Sequence, residues 1–170
     1  CSSDLAKWDA CANPRALESS SEDAESLSQK ERHNPFISHA FLNCCEASGS
    51  TGPRTGWTPA HVVVEDASGA ILACAPTYLK THSQGEYVFD HGWADAYERA
   101  GGRYYPKVQV CVPFTPVPGR RLLVAPGPRA SEAQAALIAG LRALREKAKA
   151  SSIHVTYETK AEWEALAGDG

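Results

Sequence analysis

KVQVCVPFTPVPGRRLLVAPGPRASEAQAALIAGLRALREKAKASSIHVTY, residues 107–157, is the stretch on which the fold is decided. Lys107 to Phe114 is an apolar, β-branched run that reads as a strand. Pro113, Pro116 and Pro118 break it, because proline lacks the backbone donor a ladder requires. Arg121 to Ala125 resumes the extended pattern. Ser131 to Ala150 then reads as the clearest helix of the chain. Ser131 and Gln134 form an S-x-x-Q capping box, Leu137, Ile138, Leu141, Leu144 and Ala148 make an apolar stripe, and basic residues gather late. A strand from Ile153 to Tyr157 follows at once, so the segment is a strand, a loop, a capped helix and a second strand.

Working outward, Ser3 to Ala12 reads as a short N-terminal helix over residues 1–12, with Ser3 as its cap and Leu5 and Trp8 on one face. Residues 13–33 hold five serines and five acidic side chains around two leucines, the composition of a flexible acidic insertion. A domain over 34–170 follows. Asn34-Pro35 opens a helix with Phe36, Ile37, Ala40, Phe41, Cys44 and Cys45 at helical spacing. Ser48 to Pro59 reads as loop. His61 to Glu65 and Ile71 to Leu79, separated by Asp66-Ala67-Ser68-Gly69, read as a β-hairpin. Glu86 to Asp90 reads as a short strand and Trp93 to Ala100 as a short helix. Thr159 and Glu162 cap a final helix. Strands and helices alternate, so the expected class is α/β (α+β), a mixed sheet with helices on its faces.

At 170 residues with 43% hydrophobic and 22% charged residues, the chain has the balance of a globular domain. No apolar run is long enough to span a membrane, and the start CSSDLAKWDACA is too polar for a signal peptide. The absence of methionine fits a processed or excised piece. The net charge of −3 is too small for a nucleic-acid coating. Charge is nevertheless uneven: between Arg103 and Lys149 nine basic groups face only Glu132 and Glu146. Arg120, Arg121 and Arg129, outside the helix body, are candidate partners of an anion. Six cysteines without a C-x-x-C pair and six scattered histidines argue against a metal centre.

Tyr78 to Leu123 is crowded with tyrosines and titratable groups. Lys80, His82, Tyr87, Trp93 and Lys107 are the candidate substrate-binding side chains, the pattern of a pocket wall with convergent polar groups. Trp93 and Phe89 read either as core or as ligand-stacking rings. Glu86 and Asp90 read either as bases or as ion-pair and cap residues, with Glu86 pairing Lys80 or Lys107 and Asp90 capping the Trp93 helix.

Six motifs in order, NPFISHAFL (34–42), GWTPAH (56–61), YLKTHSQGEYVFD (78–90), WADAY (93–97), GGRYYPK (101–107) and PFTPVPGRRLL (113–123), resemble the FemAB-like, predicted N-acyltransferase family, also described as peptidoglycan biosynthesis or recognition. The resemblance covers residues 34–163. It implies an acyl-CoA N-acyltransferase (GNAT-like) fold, of which this chain is the first of two units, with the second half as its partner. It also implies transfer of an acyl or aminoacyl group to a small-molecule or peptide amine. Within that chemistry Glu86 or Asp90 is the candidate base, His82 a second one, and Tyr105 the acid that returns a proton to the leaving group. Acyl-CoA is the implied donor, with its pyrophosphate at Arg120, Arg121 and the helix start at Ser131. The family's glycine-rich loop is absent and Gly119-Arg120-Arg121 and Pro126-Gly127-Pro128-Arg129 stand in its place, so an aminoacyl-tRNA donor stays open. The alternative is a non-catalytic half that shapes the acceptor pocket or docks on the second unit. The family's occurrence implies a cytoplasmic protein, or a plastid stromal one in a photosynthetic eukaryote.

Overall fold

The computed structural model describes residues 2–14 and 33–168, so most of the acidic stretch expected to be an insertion lies outside the described residues. Its two ends are clasped: Asn13 Nδ2 donates to the Asn34 carbonyl at 3.1 Å and the Asn34 N–H donates to Asn13 Oδ1 at 2.8 Å.

Helix α1 (Ser2–Ala12) packs Trp8, Cys11 and Ala12 against Ile37, Leu42, Cys74 and Leu123. The helix expected from Asn34 divides in two. Asn34 caps a 3-10 turn, Pro35–Ile37, and Ser38, whose hydroxyl accepts from the Phe41 N–H, starts α2 (His39–Ala47). The strands are β1 (Trp57–Pro59), β2 (Val62–Glu65), β3 (Ile71–Ala75), β4 (Thr77–Lys80), β5 (Lys107–Val110), β6 (Leu123–Val124) and β7 (Ile153–Val155). Three further helices are α3 (His91–Arg99), α4 (Ala130–Ala148) and α5 (Lys160–Ala167).

The strands form two sheets rather than the single one expected, in the orders β1-β4-β5-β7 and β2-β3-β6. The break falls at Pro76. The run Ile71 to Leu79 is continuous in sequence, but the proline interrupts the ladder, and the chain passes from the smaller sheet to the larger there. All pairings are antiparallel except β5 with β7, which are parallel and joined through α4. The strand–helix–strand unit of residues 107–157 is thus present. Helix α4 lays Leu137, Ile138 and Leu141 on Ala73, Ala75, Val108 and Val110, forming the main core. A Cβ at Gly140 would come within 2.8 Å of Val62 Cγ1, so glycine lets the helix approach β2.

Three local expectations are corrected. Ser131 does not cap α4: the helix already begins at Ala130 with Arg129 at the cap position, and Ser131 lies exposed within the first turn. Residues 86–90 are not a strand, because Gly85 at φ 79° and Tyr87 at φ 58° take left-handed conformations incompatible with extension. Conversely, β1 forms where the sequence reads as loop.

The C-terminal capping box is present, with Thr159 and Glu162 bonded reciprocally. Glu162 does more than cap. It is buried, and its Oε1 accepts the N–H groups of Arg121 and Leu122, each at 2.7 Å, tying α5 to the approach of β6. Glu162→Ala is expected to cost about 3 kcal/mol, since it strands buried donors that bond a charged acceptor. A urea midpoint unchanged from wild type would refute this bracing role.

Candidate active site

The larger sheet has one apolar and one polar face. Side chains alternate across a strand, so Val108 and Val110 face α4 while Lys107 and Gln109 face the other way. On β4, Leu79 belongs to the core and Tyr78 and Lys80 share the polar face. Register then places Trp57 opposite Lys80, Lys80 opposite Lys107, and Tyr78 opposite Gln109, with His154 next to Gln109 on β7. The central residues of this face are buried: Lys80 and Lys107 are both 0% exposed.

Two ammonium groups on directly opposed positions repel, and burial adds a desolvation cost. The loop after β4 supplies the compensation. Lys107 Nζ donates to Ser83 Oγ, Glu86 Oε2 and Asp90 Oδ2, each at 2.8 Å, using all three of its protons. Lys80 Nζ lies 3.8 Å from Glu86 Oε1, donates to the Gln84 carbonyl at 3.2 Å, and sits 3.5 Å from the centroid of the Trp57 ring. Glu86 therefore bridges the two lysines. Tyr104 donates to Asp90 Oδ2 at 2.8 Å, and the Tyr105 hydroxyl shares a hydrogen bond with Ser83 Oγ at 2.8 Å.

The environment moves these groups in different directions. Burial pushes the Glu86 carboxyl up despite its lysine partners. Burial also pushes Lys80 down, to about 8, against the pull of Glu86. At Asp90 burial raises the pKa, but hydrogen bonds from Lys107, Ser83 and Tyr104 outweigh it and bring the carboxyl down to about 2. Four buried polar atoms here, Tyr78 Oη, Glu86 Oε1, Asp90 Oδ1 and Gln109 Oε1, have no hydrogen-bond partner among the described residues.

Beside this sealed cluster is an open cleft of about 420 Å³ whose wall includes Arg54, Trp57, His82, Gln84 and Phe114. Gln84 belongs to both, since its carbonyl accepts from Lys80 and from Trp57 Nε1. His82 has both ring nitrogens engaged. Its Nδ1 accepts the Gln84 N–H at 3.2 Å and its Nε2 bonds the Thr55 carbonyl at 3.0 Å, which leaves no free nitrogen to act as a base.

Of the residues expected at a site, Lys80, Glu86, Asp90, Tyr105 and Lys107 converge on the polar cluster, and His82 lines the cleft. Asp90 does not cap α3 with its side chain, being committed to Lys107 and Tyr104. Trp93 and Phe89 are not core residues: they are 77% and 87% exposed. Tyr87 is half exposed, with its carbonyl held by the Tyr157 hydroxyl at 2.9 Å.

Each of the three arginines expected as anion partners is engaged within the fold. Arg120 donates to the carbonyls of Cys11, Ala12 and Val124, closing the C-terminal end of α1. Arg121 is wholly buried and donates to the carbonyls of Thr156, Arg120 and Val117. Arg129 pairs with Asp66 at 2.8 Å. With these guanidinium groups engaged and Ser131 inside the helix, the start of α4 offers no assembled pyrophosphate cradle. Among the described residues no group of three or more His, Cys, Asp or Glu is placed to hold a metal ion, and no helix is long and apolar enough to cross a membrane.

Trp57, Ser83, Gln84, Tyr104 and Gln109 belong to the site and escaped the sequence reading. A signal existed for one of them: the alternation Lys107-Val108-Gln109-Val110 marks a strand with one polar face, buried though it is.

Lys107→Met leaves buried Asp90 without its cation and Glu86 with only Lys80, 3.8 Å away. It is expected to lose about 3–5 kcal/mol near pH 8. Without the lysine both carboxyls lose the partner that holds them down and titrate at higher pH than in wild type, so the deficit should shrink as pH falls and they take up protons. Urea titrations at pH 8 and pH 5 check this; a deficit independent of pH would contradict it.

Compared with known proteins, the chain matches the model of the FemAB-like family, described as peptidoglycan biosynthesis/recognition, over residues 3–170. No curated protein and no solved structure gives a match. The matched span takes in α1 as well as the region of the six sequence motifs, in keeping with the packing of α1 into the core. Family members are aminoacyltransferases of GNAT-like fold, and the mixed α/β architecture with its parallel β5–α4–β7 unit accords with that fold. The chain belongs to the FemAB-like family.

Proposed function

We propose that the chain is the acceptor-holding half of a transferase that moves an acyl or aminoacyl group onto an amine. The carrying observation is the separation of the two polar regions. The ion cluster is sealed behind the cleft, with the side chains of Lys80, Glu86 and Lys107 at 0% exposure. The open cleft has aromatic walls, one arginine and an imidazole with both nitrogens hydrogen-bonded, and its lining contains no carboxylate. Such a surface can hold an amine-bearing molecule but has no group of its own to deprotonate it. In this reading the buried cluster fixes the loop that carries Gln84 and Gly85, and so shapes the cleft. The engaged arginines favour a donor other than acyl-CoA bound in the usual GNAT manner, and an aminoacyl-tRNA suits the family.

A second reading rests on one observation, the opposed shifts of Glu86 and Lys80. A carboxyl raised and an ammonium lowered approach each other, the condition for an acid–base pair. Glu86 would take the proton shed by the attacking nitrogen, and Lys80 would supply one to the departing oxygen or sulfur.

Glu86→Gln separates the two. Amide formation on a peptidoglycan-stem peptide, followed by mass spectrometry with aminoacyl-tRNA and acyl-CoA donors and the complete protein, is expected to stay within about threefold of wild type at a temperature where the variant is folded, whereas loss of a general base costs about 100-fold or more. A loss that large with the fold intact selects the acid–base reading. In that case the rate should also fall as pH rises through about 8, where Lys80 gives up its proton, and Lys80→Arg should move that limb upward.

A further inference from the structure

The cleft beside Trp57 is built to a fixed shape. Gly56 and Gly85 both sit in the left-handed region, at φ 68° and 79°. A Cβ at Gly56 would meet His82 Nε2 at 2.3 Å, and one at Gly85 would meet the Phe114 ring at 2.8 Å and Trp57 at 3.2 Å. Phe114 itself is held at φ 58°, a conformation costly for a bulky residue, and its ring lies 5.1 Å from that of Trp57. Any side chain at either glycine would push into the cleft wall, so the backbone has been brought as close to the rings as it can come.

Arg54 stands on the opposite side, on the short 3-10 turn Pro53–Thr55. Proline begins that turn, Thr55 Oγ1 bonds the Gly52 carbonyl at 3.0 Å, and left-handed Gly56 ends it. The guanidinium is carried on rigid backbone, yet it makes no hydrogen bond or ion pair among the described residues. It is the one lysine, arginine or carboxylate side chain in the cleft lining, and both nitrogens of His82 are already hydrogen-bonded.

We propose that this cleft binds a ligand bearing a carboxylate, with the Arg54 fork on the carboxylate and the Trp57–Phe114 wall against the apolar part next to it. A planar fork pairs two N–H donors with the two oxygens of a carboxylate, and a single cation matches a single negative charge. The volume suits a ligand of one or two amino-acid residues. The inference rests on the acceptor-holding reading and narrows it: the amine acceptor also carries a free carboxylate close to an apolar side chain.

Isothermal titration tests binding without any donor. The probes are the dipeptide Lys-Phe as the free acid, the same dipeptide as its C-terminal amide, and phenyl phosphate. The free acid is expected to bind wild-type protein about tenfold more tightly than the amide, the scale of one charge-assisted pair. Arg54→Gln is expected to bring that ratio to about one while leaving the amide's affinity unchanged, and the exposed position of Arg54 keeps the variant folded. Equal binding of acid and amide, no binding of either, a ratio that survives in Arg54→Gln, or tighter binding of phenyl phosphate than of the acid would each overturn the proposal. Because the readout involves no transfer, a normal acid-to-amide ratio with no amide product in the mass-spectrometric assay would overturn the transferase reading alone.

Discussion

Two lysines face each other across adjacent strands in the interior of the larger sheet, and much of the surrounding structure follows from having to keep them there. Lys80 and Lys107 are register partners, so neither can turn away without breaking the β4–β5 ladder. Their charges must be met locally. That requirement explains why residues 81–90 abandon extended structure: a strand would send Glu86 and Asp90 to one face only in a fixed geometry, whereas the turn through Gly85 and Tyr87 brings both carboxylates onto Lys107 Nζ at 2.8 Å. Glu86 then reaches Lys80 with its second oxygen, at the longer distance of 3.8 Å. The Trp57 ring and the Gln84 carbonyl complete the coordination of that ammonium. Position of loop, burial of carboxylates and placement of Trp57 are thus one problem with one solution.

The same logic accounts for what could be read from the sequence and what could not. Elements set by local chemistry were legible. The apolar stripe of α4, the Asp66–Gly69 hairpin turn and the Thr159/Glu162 box depend on neighbours within a few residues, and all are present. The path of β3 into β4 across Pro76 was not, because the proline only interrupts the ladder and the choice of a second sheet is made by distant strands. At the site, residue types were legible while their states were not. Lys80, Glu86, Asp90 and Lys107 stood out as titratable groups among aromatics, but their mutual neutralisation depends on a register contact between residues 27 apart.

The arginines teach the complementary lesson. A run of unpaired cations between a strand and a helix start reads as an anion site, since composition cannot show which donors the main chain will claim. Arg120 and Arg121 are claimed almost entirely by carbonyl groups, several of them at the end of α1 and in the irregular segment around Pro116 and Pro118. Chain that is rich in proline cannot satisfy its own carbonyls through a ladder, and buried carbonyls need donors. A guanidinium, with five N–H groups in a fixed fork, can meet several at once. The basic character of this segment is therefore explained by the irregularity of its backbone.

A division of labour within one small domain emerges from these contacts. A fully neutralised ion cluster gains little stability over an apolar core, because desolvation offsets much of the attraction. Its gain is directional: each of the three protons on Lys107 is assigned to a different side chain of the loop, which fixes Ser83, Glu86 and Asp90 together. Gln84 lies between those fixed points and joins the cluster to the cleft. The charges that make the sheet interior costly are, on this account, what makes the neighbouring open surface rigid. A rigid wall spares a bound molecule the loss of loop entropy that it would otherwise have to offset. In the proposed acceptor-holding reading, such a wall would serve to orient the acceptor, where accuracy of position matters more than a reactive group of its own.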